Sequence, residues 1–529
     1  MLSLARIVCQ SRGYQDKRFK KSSKEKRGKH SMKRLKILIP FLLIMMVLLA
    51  GCSSNSATTT AETTAEEVTE TTAVLSAVVS PTSTIVVDPE FTARDLETSY
   101  DDATAVQVTL DGSNIQVTGD GASASNGVLT ITTEGTYVVT GNLTDGQIVV
   151  AAADTDKIQI VLSGATINCA DNAPIYVKSA NKVFVTLNAN TVNTLTDDGA
   201  YVQTDENNVD GVIFSKADLT INGKGALNII TKDNHGIVSK DDLVIAGGTY
   251  NITSADDALS GKNSVKIKDG TLTIDSSAGK GITSKNADDN TKGYVYICGG
   301  TITVKNSTEG IEGTAIIVEG GTIDLISSDD GFNGASASAA ETDTGGKGGG
   351  AAMENDANVY VSISGGTICV NAAGDGLDSN GSMYISGGTV NVSGPTNNGN
   401  GALDYNGTAD VSGGTVVIAG SIGMAQSFSE TSTQASLLYN LPSSCAAGTE
   451  IKLTDASGKT VVSYTPDKTY QSVVISTPDL AQGSTYTLTC GSQTVEIPLT
   501  GMVTSNGQTG MGGPGQGGQG QPQGGQKPQ

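Results

Sequence analysis

One unit of an internal repeat occupies residues 243–259, which read LVIAGGTYNITSADDAL. The unit holds short runs in which apolar and polar residues alternate, and a Gly-Gly pair and an Asp-Asp pair separate these runs. Alternation with a period of two residues is typical of strands, and Gly and Asp are turn residues. The unit therefore predicts three short strands joined by turns rather than a helical repeat.

The Gly-Thr step of this unit recurs along the chain, and its spacing sets the period of the repeat. The glycines of the clear steps are Gly248, Gly270, Gly300, Gly321, Gly366, Gly388 and Gly414. The basic period is near 22 residues, and the two longest spacings correspond to one unit plus an insertion. This period predicts an all-β fold, a right-handed parallel β-helix of about ten coils stacked about 4.8 Å apart.

The flanking composition divides the rest of the chain. Segments rich in Ser and Thr, or in Gly, Gln and Pro, cannot bury a core. Alternating strands in residues 97–150 are expected to cap the open N-terminal end of the stack. We expect an export signal with a basic extension at 1–51, a flexible stalk at 52–90, the β-helix at 91–425, a small β domain or cap at 426–505, and a disordered tail at 506–529.

The N-terminal segment has the features of a bacterial export signal. A basic start at Met32 precedes an apolar run from Ile37 to Ala50, which is short for a membrane span. The sequence Leu49-Ala50-Gly51-Cys52 resembles a lipobox, and that resemblance implies lipidation at Cys52 and anchoring to the extracellular face of the cytoplasmic membrane. An ordinary signal peptide is the alternative, and translation from either Met1 or Met32 stays open.

The mature chain is strongly acidic. The whole chain has a net charge of −21, but residues 1–51 contain 13 of the 33 basic residues and 2 of the 54 acidic ones, so the remainder carries −32. Such a surface excludes nucleic acid as the expected partner, because phosphate binding requires Lys and Arg. Sparse cysteines argue against a disulfide scaffold, although Cys445 and Cys490 remain a possible pair.

Acidic residues keep one register relative to the Gly-Thr steps. Nine residues after the glycine come Asp257, Glu309, Asp330 and Asp375, and three residues later come Ser260, Glu312, Asn333 and Asp378. Stacking would place like charges about 5 Å apart, so a counterion is expected. Hard oxygen donors favour Ca²⁺. The candidate calcium ligands are Asp257, Glu309, Glu312, Asp329, Asp330, Asn333, Asp375, Asp378 and Asp404, and solvated turn residues are the alternative.

A second register is basic. Lys216, Lys240, Lys262 and Lys285 close successive earlier units, and His235 lies five residues before Lys240. One interpretation is an anion-binding strip beside the acidic one, so that both strips hold one acidic polysaccharide. The other is that these lysines form ion pairs with nearby Asp218, Asp241 or Asp242.

Several segments resemble a known family. They are FTARDL at 91–96, GTYVVTG at 135–141, DGQI at 145–148, NHGIVSKD at 234–241 and DDALSGK at 256–262. Together they resemble the clostridial carbohydrate-binding domain family, over roughly residues 90–425. The resemblance implies a β-helix of the pectate-lyase type, bound calcium, and binding of cellulose-like or polygalacturonate-like polymers.

Three functions compete at this stage. The first is a surface-anchored, calcium-dependent, non-catalytic carbohydrate-binding lipoprotein. The second is a polysaccharide lyase, for which Lys262 or Lys285 would have to act as the base because the mature chain is poor in Arg. The third is a structural adhesin or envelope spacer, in which the acidic columns have no ligand.

Overall fold

The computed structural model describes residues 83–337 and 355–507. Its first elements are a single helical turn and two β-hairpins. Across both described ranges there is no helix long and apolar enough to cross a membrane. The elements are α1 (Ala93–Leu96), β1 (Val106–Gly112), β2 (Asn114–Thr118), β3 (Ala122–Ser125) and β4 (Val128–Ile131).

The two hairpins begin the repeat. β1 pairs with β2 and β3 pairs with β4, in both cases antiparallel. The repeat then continues as β5 (Gly135–Leu143), β6 (Gln147–Ala151), β7 (Lys157–Cys169), β8 (Ile175–Ser179), β9 (Lys182–Leu187), β10 (Val192–Asp197), β11 (Gly211–Ser215), β12 (Asp218–Gly223), β13 (Ala226–Ile230), β14 (His235–Ser239), β15 (Asp242–Ser254), β16 (Leu259–Gly261), β17 (Ser264–Ser276), β18 (Ile282–Ser284), β19 (Tyr294–Ile297), β20 (Thr301–Asn306), β21 (Ile311–Gly313), β22 (Ala315–Val318), β23 (Thr322–Ser327), β24 (Phe332–Gly334), β25 (Tyr360–Ile363), β26 (Thr367–Ala372), β27 (Leu377–Ser379), β28 (Ser382–Ser393), β29 (Leu403–Tyr405) and β30 (Ala409–Gly420).

These strands pair in parallel with their equivalents one repeat later. The threonines of the Gly-Thr steps are in register from Thr249 to Thr415. The all-β class is confirmed, and the pairing is that of stacked coils. Two sheets matter below. The site sheet contains β3, β4, β6, β8, β11, β14, β16, β18, β21, β24, β27 and β29. The strap sheet contains β9, β12, the first parts of β15 and β17, β19, β22 and β25.

Aliphatic side chains fill the inside of the stack in columns. One column runs through Ile245, Ile267, Ile297, Val318, Ile363, Ile385 and Val411, each at most 1% exposed. Burying each such side chain contributes about 1.5–3 kcal/mol. The Gly-Thr glycine turns the chain into the next strand. Gly321 has a φ of +89°, which side chains with a Cβ rarely adopt.

The C-terminal strands are β31 (Ser436–Cys445), β32 (Ile451–Thr454), β33 (Thr460–Tyr464), β34 (Tyr470–Ser476), β35 (Thr485–Cys490), β36 (Gln493–Pro498) and β37 (Val503–Ser505). Strand β34 pairs antiparallel with β30, which covers that edge of the last coil. Strands β32, β33, β35 and β36 form a separate four-stranded sheet with its own apolar cluster. Cys445 and Cys490 are free thiols in this region, so the structure does not show the possible disulfide.

The structure differs from the sequence prediction at residues 83–90, which we assigned to the flexible stalk. These residues pack on the outside of the strap sheet, where the side chain of Ile85 is only 5% exposed. The reason is local, because Ile85 and Val87 alternate with polar or exposed positions and so present one apolar edge. The export signal, Cys52, the stalk before residue 83 and the tail after residue 507 lie outside the described residues, and the domain boundaries stay predictions.

Candidate functional site

The acidic residues predicted from register form two columns on the outer face of the site sheet. The first column is connected by backbone hydrogen bonds between neighbouring coils, and it contains His235, Asp257, Lys280, Glu309, Asp330 and Asp375. The second column follows the strand pairing through Ser260, Thr283, Glu312, Asn333, Asp378 and Asp404. Both columns therefore keep the predicted order, except that Lys280 separates Asp257 from Glu309.

A group that we call the carboxylate cluster, Asp330, Asp375, Asp378 and Asp404, occupies the later coils. One carboxylate oxygen each of Asp375, Asp378 and Asp404 lies within 4.8 Å of the others. The Asp375 amide donates to Asp330 Oδ1 at 2.6 Å, and the Gly401 amide donates to Asp375 Oδ1 at 2.5 Å. These contacts hold the carboxylates in place and leave further oxygens to face one another.

Burial dominates the electrostatics of this cluster. It raises the pKa of Asp330 to about 8, and the charge of Asp375 adds to the effect. Burial also raises the pKa of Asp375 to about 6 and that of Asp378 well above its usual range, with Asp330 and Asp375 contributing to the latter. The pKa of Asp404 is raised by burial as well. A metal-free protein therefore holds protons here near neutral pH, where isolated aspartates are ionised.

The cluster has the chemistry of a hard-cation site. Carboxylate and amide oxygens are the donors that Ca²⁺ takes. Glu309 Oε2, one coil before Asp330, and Asn333 Oδ1, in the same coil as Asp330, are buried and accept no hydrogen bond, so two further oxygens lack a partner. Asp329 is exposed, and its Oδ1 would lie 2.3 Å from a Cβ placed on Gly374, so it lies at the edge of the same group. The residues present thus fit calcium at the carboxylate cluster.

Glu312 has a different environment from the one that the register alone suggests. It is 3% exposed and forms ion pairs with Lys280, at 3.3 Å, and with Lys285. Thr283 Oγ1 also donates to Glu312 Oε2 at 3.0 Å. Burial opposes ionisation of Glu312, but Lys285 and Lys280 lower its pKa overall. We call this group the lysine–glutamate junction, and its own lysines already supply the counter-charge that a cation would provide.

Asp257 also lies apart from the carboxylate cluster. Its Oδ1 accepts from the Lys280 amide at 2.8 Å, and its own amide donates to His235 Nδ1 at 3.1 Å. His235, Asp256 and Asp257 place ligand atoms within 4.8 Å of one another, as do Asp218, Asp241 and Asp242 on the strap sheet. Among the described residues the acidic groups are therefore separate, and the predicted ladder is not one continuous metal-binding strip.

The four predicted lysines do form a column, but this column does not lie beside the carboxylate cluster. Lys216, Lys240, Lys262 and Lys285 follow paired positions of β11, β14, β16 and β18, so they precede the carboxylate cluster along the stack instead of lying beside it. Lys240 pairs with Asp210 at 3.2 Å, Lys262 with Asp288, and Lys216 Nζ donates to Asn207. Ion pairing is thus observed, but not with the expected partners Asp218, Asp241 or Asp242.

Lys280 lies in the first column, although the sequence analysis did not include it among the candidate site residues. It comes ten residues after Gly270, whereas the acidic residues come nine after their glycines. The long step from Gly270 to Gly300 was the available signal of a changed register. Lys280 contacts Glu312, and its pKa is raised overall by Glu312, Glu309 and Asp257 even though burial lowers it.

Comparison with known proteins identifies the family. The sequence profile of the carbohydrate-binding domain-containing protein family matches residues 125–401, which include both columns up to the coil of Asp404. The chain belongs to this family.

Two known proteins are similar to this chain. A carbohydrate-binding domain-containing protein of Acetivibrio thermocellus is 38% identical over 135 residues, which are 25% of this chain and 47% of the relative, so the chain spans about half of that relative's length. A solved structure of a polysaccharide lyase-like protein from C. thermocellum, a gadolinium derivative, is 26% identical, with a TM-score of 0.39. It covers 58% of this chain and 97% of its own.

Proposed function

We propose that this family member is a calcium-dependent, non-catalytic protein that binds acidic or β-linked plant-type polysaccharides, such as polygalacturonate-like or cellulose-like polymers. The family supports carbohydrate binding. The observation that carries the calcium proposal is the half-buried trio of Asp375, Asp378 and Asp404, each of which offers one carboxylate oxygen within 4.8 Å of the others. The same proposal includes a right-handed parallel β-helix as the form of the coil stack.

Calcium would be held by the carboxylate cluster, with Asp329, Glu309 and Asn333 as further oxygen donors nearby. The bound ion would supply a positive charge that a uronate carboxylate can share with the protein. Half-exposed lysines of the earlier coils, Lys240 and Lys262, would extend the contact by exchanging Asp210 and Asp288 for sugar carboxylates. An acidic polymer would thus bind a strongly acidic protein through its metal and its lysines.

The proposed location is the bacterial cell surface, on the extracellular face of the cytoplasmic membrane. A lipid on Cys52 would anchor the protein there, and the stalk would carry the coil stack away from the bilayer. Metabolic labelling with palmitate is expected to mark the wild-type chain and to leave Cys52→Ala unlabelled.

A lyase role is not favoured by the contacts of its candidate bases. Lys285 is paired with Glu312 and Lys262 with Asp288, so a carboxylate of the chain already occupies each amino group. Incubation with pectate is therefore expected to give no rise in absorbance from unsaturated products. Such a rise would establish the lyase alternative.

Isothermal titration with polygalacturonate tests the main proposal. Binding is expected in calcium, strongly reduced in EDTA, and reduced in Asp378→Asn, whereas Asp275→Asn, an exposed aspartate of β17, serves as the matched control. Absence of binding to any acidic or β-linked glycan would overturn the proposal. Unchanged attachment of a variant with both Asp330 and Asp375 replaced by Ala would favour the adhesin or spacer instead.

A further inference from the structure

The segment that precedes the repeat is attached to the coil stack at Asp95. We call residues 83–97 the strap, because they cross the outer face of the strap sheet. Asp95 lies in the helical turn α1 and is 2% exposed, and Lys182 of β9 places Nζ 2.8 Å from Asp95 Oδ1. The Lys182 side chain is itself only 15% exposed. Water therefore has little access to either member of this ion pair.

The two oxygens of the Asp95 carboxylate have different hydrogen-bond donors. Thr220 Oγ1 donates at 2.6 Å to Oδ1, the oxygen that also faces Lys182. Oδ2 accepts from the Thr92 amide at 2.9 Å and from Thr92 Oγ1 at 2.7 Å. Paired donors of this kind stabilise the negative charge that develops on a carbonyl oxygen when its carbon is attacked. Oδ2 is thus held in place, and Oδ1 is the oxygen beside the amine.

The lysine–glutamate junction is also an ion pair with little exposure, but its partners are arranged differently. Each Glu312 oxygen faces a different ammonium group, so a bond between Lys285 and Glu312 would leave Lys280 without the counter-charge of Glu312. Among the described ion pairs, Asp95 has a single ammonium partner. An amide bond there would remove both buried charges together, and with them the desolvation cost that a buried ion pair carries.

Fixed proximity also favours bond formation at Asp95. Two groups that a structure holds in a reactive geometry behave as if they were present at roughly 10⁵–10⁸ M. Hydrolysis, which reverses amide formation, needs water at the same carbon atom, and the Asp95 side chain is almost fully buried. The ion pair of Lys182 and Asp95 therefore has the features of a site at which the two side chains condense.

We propose that Lys182 and Asp95 are joined by an intramolecular amide bond, which attaches the strap covalently to β9. In the starting ion pair, burial opposes ionisation of Asp95, but hydrogen bonds from Lys182, Thr220 and Thr92 lower its pKa overall. Two hydrogens of the Lys182 ammonium pass to Oδ1, Nζ bonds to Cγ, and the Cγ–Oδ1 bond breaks to release one water. Oδ2 stays as the amide oxygen. Nothing is oxidised or reduced, and no co-reactant is consumed.

The bond gives the strap a mechanical role. The strap precedes the repeat, so a pull from the proposed anchor at Cys52 reaches the coil stack through it. Residues 83–91 are held by noncovalent contacts, among them the ion pair of Lys266 with Asp88 at 3.1 Å. An amide bond at Lys182 resists a pull that would separate ion pairs and hydrogen bonds. This role rests on the proposed anchoring, but the bond itself depends on neither calcium nor sugar.

The intact mass of the full mature chain tests for the bond. The wild type is expected to be lighter than its sequence by the mass of one water molecule. Lys182→Met removes the amine and is expected to have the full mass of its sequence. Lys178→Met is the matched control, because Lys178 forms an ion pair of 2.9 Å with Asp205 in which the side chains are 37% and 24% exposed. This control is expected to keep the loss of one water.

Digestion of the wild-type chain locates the bond without any variant. Mass spectrometry is expected to find the peptide that contains Asp95 joined to the peptide that contains Lys182. A wild-type mass equal to that of the sequence would show that the pair stays ionic and would overturn the proposal. A loss of water that persists in Lys182→Met would place the modification elsewhere and would overturn it as well. Polygalacturonate binding in calcium is measured separately, so the two proposals fail independently.

Discussion

The lysine–glutamate junction and the carboxylate cluster lie on the same sheet, in the same two columns, only a few coils apart. At the junction, Glu312 lies between Lys280 and Lys285. In the cluster, the charges acting on Asp378 are those of other carboxylates, with Asp330 and Asp375 first among them. Carboxylates at equivalent positions are therefore neutralised by lysines at the junction and by protons in the cluster.

This difference is the reason that we propose a cation site at the carboxylate cluster and not at the junction. A buried carboxylate needs an opposite charge, a proton or a metal ion. Lysines provide that charge at the junction, so a calcium ion would have to displace two ammonium groups. In the cluster an ion would displace only protons, which costs less free energy than displacing two ammonium groups.

Breaking the junction is expected to have the largest effect. Lys285→Met leaves Glu312 buried with one ammonium partner fewer, and loss of a buried ion-pair partner costs about 3 kcal/mol in the free energy of unfolding. Urea unfolding measures this loss, and calcium is expected not to restore it. Restoration by calcium would mean that the junction itself binds the metal.

The pH dependence of the metal-free protein sharpens the contrast. The cluster carboxyls have higher pKa values in the folded chain than in the unfolded one, so the folded chain holds more protons between the two values. The stability that these carboxyls contribute is therefore fully present below the ordinary aspartate pKa of 3.8 and is lost as pH rises through about 6 and about 8. We expect a loss on the order of 5 kcal/mol in EDTA between pH 5 and 8, most of it from Asp330.

Calorimetry across this range measures the loss, and saturating calcium is expected to reduce it. Asp378→Asn, which removes one carboxylate, serves as the comparison and is expected to flatten the same curve. A pH profile that is identical with and without calcium would contradict a metal site at the cluster.

Removing one cluster carboxylate is expected to stabilise the metal-free protein and to weaken its binding of calcium, both to a moderate extent. Asp378→Asn relieves repulsion, so the metal-free protein at pH 8 gains about 1.4 kcal/mol, the equivalent of one pKa unit. Its calcium affinity is expected to fall at least tenfold, measured by titration with calcium. Asp275→Asn is the control for the loss of one acidic charge elsewhere.

The smallest effect is expected at the exposed end of the lysine column. In the ion pair of Lys262 and Asp288 the side chains are 39% and 78% exposed, and such surface pairs contribute little. Lys262→Met is expected to change the free energy of unfolding by less than about 0.5 kcal/mol, as measured in urea, and to weaken polygalacturonate binding instead. An effect on stability as large as that of Lys285→Met would remove the distinction between the two lysines.

Much of the fold could be predicted from the sequence, because the same local pattern of strand and turn residues recurs in every repeat. Alternation of apolar residues and the Gly-Thr steps predicted the strands, their stacking and the columns that contain Asp330, Asp375 and Asp378. The prediction lost accuracy where the repeat is interrupted. Lys280 comes ten residues after Gly270 and not nine, so a count from the glycine left it out of the candidate residues, although it lies five residues before Lys285 as Asp257 lies before Lys262.

The sequence by itself determined which residues share a column, because strand pairing at a fixed period carries each position onto its equivalent one coil later. Only the tertiary structure decided which carboxylates have a partner. Lys280 and Lys285 form ion pairs with Glu312, and an oxygen of Asp375 lies within 4.8 Å of oxygens of Asp378 and Asp404. Ile85 packs against Tyr294, Tyr296 and Tyr360. All of these are contacts between different coils or between a coil and the segment that precedes the repeat. Ionisation and ligand binding depend on distances and burial, and those are set by packing in three dimensions, which a one-dimensional repeat does not contain.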